Sequence, residues 1–169
     1  LILIGYRGTG KTSLGKRLAR RLSRGFTDTD QLVVTAAGRS IPEIFAEEGE
    51  AAFRRREATA LAEACRSGGR VIATGGGIVL LEENRSLLRE CGAVVWLTAR
   101  PEVILSRIAG DANRPALTGL GPLEEIRSML EIRNPLYAEV AALTVDTSDR
   151  PFLKVAEEIR EWFVEEAGG

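Results

Sequence analysis

No histidine occurs anywhere in the chain. Imidazole acid–base catalysis, histidine-ligated zinc and histidine pH switching are therefore excluded. Cysteine is scarce: Cys65 and Cys91 are the two present, at a spacing that fits no metal motif. Each reads as a small hydrophobe on a helix or near a strand start, and two such thiols suit a reducing compartment such as the cytoplasm. No apolar run is long enough to span a bilayer, so no membrane partner is expected. Neither sign of charge dominates. Lys and Arg number 23 against 24 Asp and Glu, which argues against a broad nucleic-acid surface. Any anion bound here must be caught by local clusters of Arg and Lys. No signal segment is visible. Leu1 already lies inside an expected strand, so nothing follows about what precedes it.

What is present is more telling. The 169 residues suit one domain, 1–169, with room for a core. Gly5-Tyr6-Arg7-Gly8-Thr9-Gly10-Lys11-Thr12 follows directly on the apolar run Leu1–Ile4. This is G-x-x-x-x-G-K-[ST] between a strand and a helix pattern, the setting of a phosphate-binding loop. Its glycines let successive backbone N–H groups turn inward. A helix starting near Gly10 favours an anion at its N-terminus. Gly8, Thr9, Gly10, Lys11, Thr12 and Ser13 then contact the nucleotide. Lys11 reaches the β- and γ-phosphates, and Thr12 places its hydroxyl on Mg²⁺.

Candidate strands recur at Leu1–Ile4, Phe26–Asp28, Arg70–Thr74, Ala93–Leu97 and Leu143–Asp146. Helical patterns lie between them: Leu14, Leu18 and Leu22 share a face, and further helices cover Phe53–Ala64, Glu82–Glu90, Glu102–Ile108 and Leu123–Arg133. The last helix opens after Pro151 and turns Val155, Ile159, Trp162 and Phe163 inward. Alternating strands and helices predict an α/β fold, a parallel sheet wrapped on both faces. Ligands in such sheets sit at the carboxyl ends of the strands. Gly110–Pro122 has no period and is rich in Gly and Pro, and it reads as a mobile loop.

Several chemistry-bearing residues fall at those strand ends. Asp28-Thr29-Asp30 closes the second strand. Asp28 can hold Mg²⁺ directly or through water. Asp30, one pleat further, can orient an acceptor hydroxyl and take its proton. The bland alternative is a strand-end turn, with Asp30 capping the next helix. Phe53-Arg54-Arg55-Arg56-Glu57 opens a helix. Arg54 and Glu57 are three apart and share a face, so Glu57 can hold a guanidinium that grips a carboxylate. A solvated charged face is the other reading, and the pattern leaves Arg54 undecided. Gly75, Gly76 and Gly77 end the third strand and present bare backbone to a ligand. Arg114, in the irregular loop, is either solvated or able to swing over a triphosphate. Arg133 reads as the end of a helix, where it is either a dipole partner or a second anion clamp. Arg107 and Pro151 can sandwich an adenine, or be a helix-surface charge and a first-turn proline.

Taken together these motifs resemble the shikimate kinase family across nearly the whole chain. The resemblance rests on the loop at 5–12, Phe26-x-Asp28-Thr29-Asp30, Gly38-Arg39-Ser40-Ile41-x-x-Ile44-Phe45, Gly49-Glu50-x-x-Phe53-Arg54-x-x-Glu57, Gly75-Gly76-Gly77, Arg114-Pro115-x-Leu117 and Arg133-x-x-Leu136-Tyr137. It implies a three-layer α/β/α P-loop kinase with a five-stranded parallel sheet of order 2-3-1-4-5. It also implies a lid over about 110–122 and a substrate-binding helical segment over about 31–62. The implied activity is ATP-dependent phosphorylation of the shikimate 3-hydroxyl by a cytoplasmic monomer, with Mg²⁺. Asp30, Arg54, Gly75, Gly76, Gly77 and Arg133 would hold shikimate, with Arg54 and Arg133 on its carboxylate. Lys11 and Arg114 would stabilise the transferring phosphoryl group, Thr12 and Asp28 would serve Mg²⁺, and Arg107 would pack on adenine. Arg7 departs from the Met or Pro of many relatives. The rival readings are a sugar-acid kinase such as a gluconate kinase, and a non-catalytic nucleotide-binding module.

Overall fold

A computed structural model describes residues 1–109 and 121–168. Arg114 and residues 110–120 of the expected lid lie outside the described residues, while Gly121 and Pro122 belong to the start of a helix. Strand β1 (Ile2–Ile4) is buried along its whole length, as a run apolar on both faces must be at the centre of a parallel sheet. It pairs in parallel with β3 (Arg70–Ala73) and with β4 (Val94–Thr98). Strands β2 (Gly25–Asp28) and β5 (Leu143–Asp146) flank these, giving the expected order 2-3-1-4-5.

Alternation along β1 sends side chains to two cores. Leu1 and Leu3 pack with Leu14, Leu18, Val95, Val155 and Ile159, under α1 (Lys11–Arg21) and α7 (Phe152–Gly168). Ile2 and Ile4 pack with Leu61, Ile72, Leu88 and Tyr137, under α3 (Ile41–Arg66), α4 (Glu82–Cys91) and α6 (Pro122–Val140). Each fully buried Leu or Ile side chain contributes roughly 1.5–3 kcal/mol. The remaining helices are α2 (Thr29–Ala37) and α5 (Pro101–Ile108).

Register brings the functional segments together. Asp28 is level with Ala73, so Thr29-Asp30 and Thr74–Gly77 leave the sheet side by side. The phosphate loop leaves β1 beside them. Ser40 and Glu43 form a reciprocal capping box that starts α3. Gly49 (φ 79°, ψ 172°) interrupts that helix, so Phe53–Glu57 lies early in its second stretch.

Three expectations need correction. Asp30 does not lie one pleat along a strand; it is in the first turn of α2, whose N-cap is Asp28. The Asp28 carboxylate accepts from the Asp30 N–H and starts the helix there. Arg133 does not end a helix, because α6 continues through Pro135 to Val140. An interior proline costs about 3 kcal/mol or more, but Tyr137 and Val140 beyond it are buried in the core, which offsets that cost. Finally, Cys65 and Cys91 are joined as a disulfide, with Cα atoms 5.7 Å apart. They occupy the C-terminal turns of α3 and α4, which pack against one another. The two cysteines are therefore not separate thiols and give no support to a reducing compartment. No helix among the described residues is long and apolar enough to cross a membrane.

Candidate active site

At the carboxyl ends of β1, β2 and β3 a cleft of about 420 Å³ opens among Lys11, Thr12, Asp28, Asp30, Gly76 and Arg107. Its floor is the phosphate loop. Gly5, Gly8 and Gly10 take φ of 136°, 79° and 97°, which an L side chain rarely adopts. The buried Thr9 hydroxyl donates to the Tyr6 carbonyl at 2.8 Å. Lys11 Nζ donates to the carbonyls of Gly5 and Tyr6, each at 2.8 Å, which places its ammonium over the loop. Gly10 N-caps α1, so the free N–H groups of the first turn face the cleft beside Ser13. The Thr12 hydroxyl donates to Asp28 Oδ2 at 2.8 Å. Two hard oxygen donors thus stand side by side next to the loop, a pairing that fits a magnesium ion carrying nucleotide phosphates.

The acceptor side is built by α2, α3, α6 and the glycine turn after β3. Thr29, buried, accepts the Gly75 N–H at 3.1 Å and pins the turn to α2. Arg54 donates to Glu57 Oε2 at 2.7 Å and to Glu50 Oε1 at 3.0 Å. Its side chain is 11% exposed, so the solvated-face reading fails for Arg54. That reading holds for Arg55, which is exposed, while Arg56 pairs with Glu48. Burial works to lower the Arg54 pKa, but attraction and hydrogen bonding from Glu57 and Glu50 more than offset it, and the net shift is upward. A Cβ on Gly77 would collide with the Arg54 guanidinium, and one on Gly75 with the carboxylates of Asp30 and Glu57. The bare turn is what lets these groups converge.

Arg133 reaches the same turn from α6. Its Nη1 donates to the Gly76 carbonyl at 3.3 Å, and Tyr137 donates its hydroxyl to the same oxygen. Arg133 is only 6% exposed and forms no ion pair with any described residue, and its Nε has no hydrogen-bond partner among them. A buried cation needs an anionic partner.

Arg107 lines the nucleotide side of the cleft, with its N–H donors engaged in the plane of the guanidinium. It donates to the Gly8 carbonyl at 3.2 Å, to Thr147 Oγ1 at 3.0 Å and to the Thr147 carbonyl at 2.6 Å. It ties the phosphate loop to the segment after β5, with its guanidinium 5.3 Å from the Phe152 ring centre. Phe152, rather than Pro151, lines the cleft there. The sequence reading missed Phe152, Thr147 and Glu125, and it left Tyr137 without a task. Proline at a helix start drew attention away from Phe152, and nothing local marks the other two.

A family model described as shikimate kinase matches residues 7–164. The chain is 47% identical over 163 residues to a shikimate kinase of Symbiobacterium thermophilum, covering 95% of this chain and 94% of that one. It is 44% identical over 161 residues to a shikimate kinase of Pseudomonas aeruginosa, covering 95% and 94%. The structure of the Acinetobacter baumannii shikimate kinase in complex with shikimate superposes with TM-score 0.93 at 39% identity, covering 98% of this chain and 92% of that one. A gluconokinase from Sinorhizobium meliloti, TM-score 0.60 at 18% identity, covering 99% and 93%, shares the fold alone. With a phosphate loop, a glycine turn and buried arginines converging on one cleft, and with these relatives spanning its length, the chain belongs to the shikimate kinase family.

Proposed function

We propose that this chain transfers the γ-phosphoryl group of ATP to the 3-hydroxyl of shikimate. The observation that carries the reading is Arg133, a buried guanidinium without an ion-pair partner among the described residues, opposite Arg54 across the glycine turn. Two cations meeting at bare backbone suit a compact acid bearing hydroxyls. In this scheme Arg54 and Arg133 take the carboxylate, and Gly75, Gly76 and Gly77 leave space for the ring. Asp30 orients the attacking hydroxyl. The hydroxyl oxygen bonds to the γ-phosphorus as the bond to the β–γ bridging oxygen breaks, its electron pair leaving with ADP. The hydroxyl proton passes to the Asp30 carboxylate.

Lys11 and the loop N–H groups neutralise charge on the phosphates, and Arg114 is assigned the same task. Thr12 and Asp28 would hold Mg²⁺, which would supply positive charge to offset that of the phosphates. Arg107 and Phe152 flank the nucleotide side, where Phe152 offers a ring face to a base. All these groups belong to one chain, which supports action as a monomer, and ATP as donor supports a cytoplasmic setting.

ADP release, followed by a coupled assay over a panel of acceptors, tests the reading. Release dependent on shikimate supports it. Release with gluconate instead replaces it with a sugar-acid kinase, and no release with any acceptor replaces it with a non-catalytic binding module.

A further inference from the structure

Arg7 lies in the same cleft and has no part in that reaction scheme. A Cβ on Gly76 would stand 3.3 Å from the Arg7 backbone nitrogen, so residue 7 sits at the seam between phosphate loop and glycine turn. Its side chain, 24% exposed, lines the cleft with Lys11, Asp28 and Asp30. Nη2 donates to Glu125 Oε1 at 3.3 Å, and Glu125 is buried in the first turn of α6. The Arg7 guanidinium carbon lies 5.8 Å from the Tyr6 ring centre, and that of Arg133 lies 5.6 Å from the same centre. The buried Nε of Arg7 has no hydrogen-bond partner among the described residues. A carboxylate and a ring therefore aim this guanidinium while leaving it donors to give. Its neighbours are engaged differently: Arg54 by Glu57 and Glu50, and Arg107 by Thr147 and Gly8.

We propose that Arg7 is a specificity-determining residue that binds the phosphate of the phosphorylated product on the acceptor side of the cleft, with Glu125 as its positioning residue. The inference rests on the shikimate-phosphorylation reading. Transfer places a new phosphomonoester dianion beside the glycine turn, beyond the loop that held it as part of ATP. The planar fork of an arginine matches that group, whereas Met or Pro at this position would offer it nothing.

The test compares inhibition by shikimate 3-phosphate and by ADP in wild type, Arg7→Met and Arg7→Lys, with thermal melting alongside. Arg7→Met should weaken inhibition by shikimate 3-phosphate about tenfold, the scale of one charge-assisted contact, with inhibition by ADP unchanged. Arg7→Lys should fall between the two, since it keeps the charge and loses the fork. Glu125→Gln should shift product inhibition in the same direction. Unchanged product inhibition in Arg7→Met overturns the proposal. So does equal weakening for product and ADP, which reports a loosened loop. If Arg7→Met does not fold, Arg7→Lys decides, and wild-type product inhibition there overturns it. A wild type that releases no ADP with shikimate defeats the underlying reading and this proposal together. A wild type that does, beside an Arg7→Met enzyme of normal product affinity, defeats the Arg7 assignment alone.

Discussion

Tyr137 and Arg133, one turn apart on α6, donate to the same carbonyl oxygen, that of Gly76. This shared acceptor ties the longest-range element of the site to the glycine turn. Tyr137 is fully buried and stacks on Trp96 with ring centres 5.7 Å apart. Burial raises its phenol pKa above the ordinary value, so the hydroxyl stays a donor at working pH. Tyr137→Phe keeps the stack and removes the bond. We expect a loss of about 1–2 kcal/mol in denaturant unfolding and a shikimate KM that rises while the ATP KM holds. Equal changes in both KM values would count against a link to the acceptor side.

Lys11→Met should abolish turnover. The ammonium that bridges the Gly5 and Tyr6 carbonyls stands over the phosphate loop. Loss of such a group costs on the order of 10³ in kcat. Shikimate-dependent ADP release measures it, and near-normal activity would defeat the assignment.

Arg133→Ala should raise the shikimate KM far more than the ATP KM. The substitution removes a buried cation that forms no ion pair with a described carboxylate, so it breaks no salt bridge among the described residues. Equal shifts in both constants would argue against a carboxylate clamp.

Gly77→Ala tests the convergence directly. Gly77 has an ordinary φ of −96°, so backbone strain is not at issue. The added methyl would collide with the Arg54 guanidinium and push it off Glu57. Breaking a buried ion pair costs about 3–5 kcal/mol, part of which Arg54 recovers by moving toward solvent. Shikimate KM should rise, and isothermal titration with shikimate should show weaker binding while nucleotide binding is kept.

The Cys65–Cys91 bond closes a loop of 26 residues in sequence separation between α3 and α4. Constraining the unfolded chain by that length contributes about 3.5 kcal/mol on the loop-entropy account. Dithiothreitol should lower the melting temperature, and Cys65→Ser should remove that sensitivity. Alkylation under denaturing conditions should find no free thiol in the unreduced protein.

How much of this was legible in the chain varies residue by residue. The five strands emerged to within a residue or so, because buried parallel strands are short apolar runs bounded by turns. Asp28 was recognised as a strand end, but its role as the N-cap of α2 moved Asp30 from a pleat to a helix. Arg54 stayed undecided because a helix face cannot report its own burial, and Glu50 and Glu57 supplied the answer. The anchoring of Arg107 is not legible locally, because its donors go to Thr147 and Gly8, which lie far from it in sequence.

Local spacing was enough for the phosphate loop, because consecutive residues carry both the turn and the chemistry: the glycines admit the positive φ, and Lys11 and Thr12 follow at the helix start. It was also enough for the alternation that calls for a parallel sheet. Only packing could bring Arg54 from α3, Arg133 from α6 and Asp30 from α2 to one glycine turn, pair Cys65 with Cys91, and carry α6 past Pro135. Those contacts join residues tens of positions apart. Their energies come from burial and from desolvated charge, which exist only once the layers have closed.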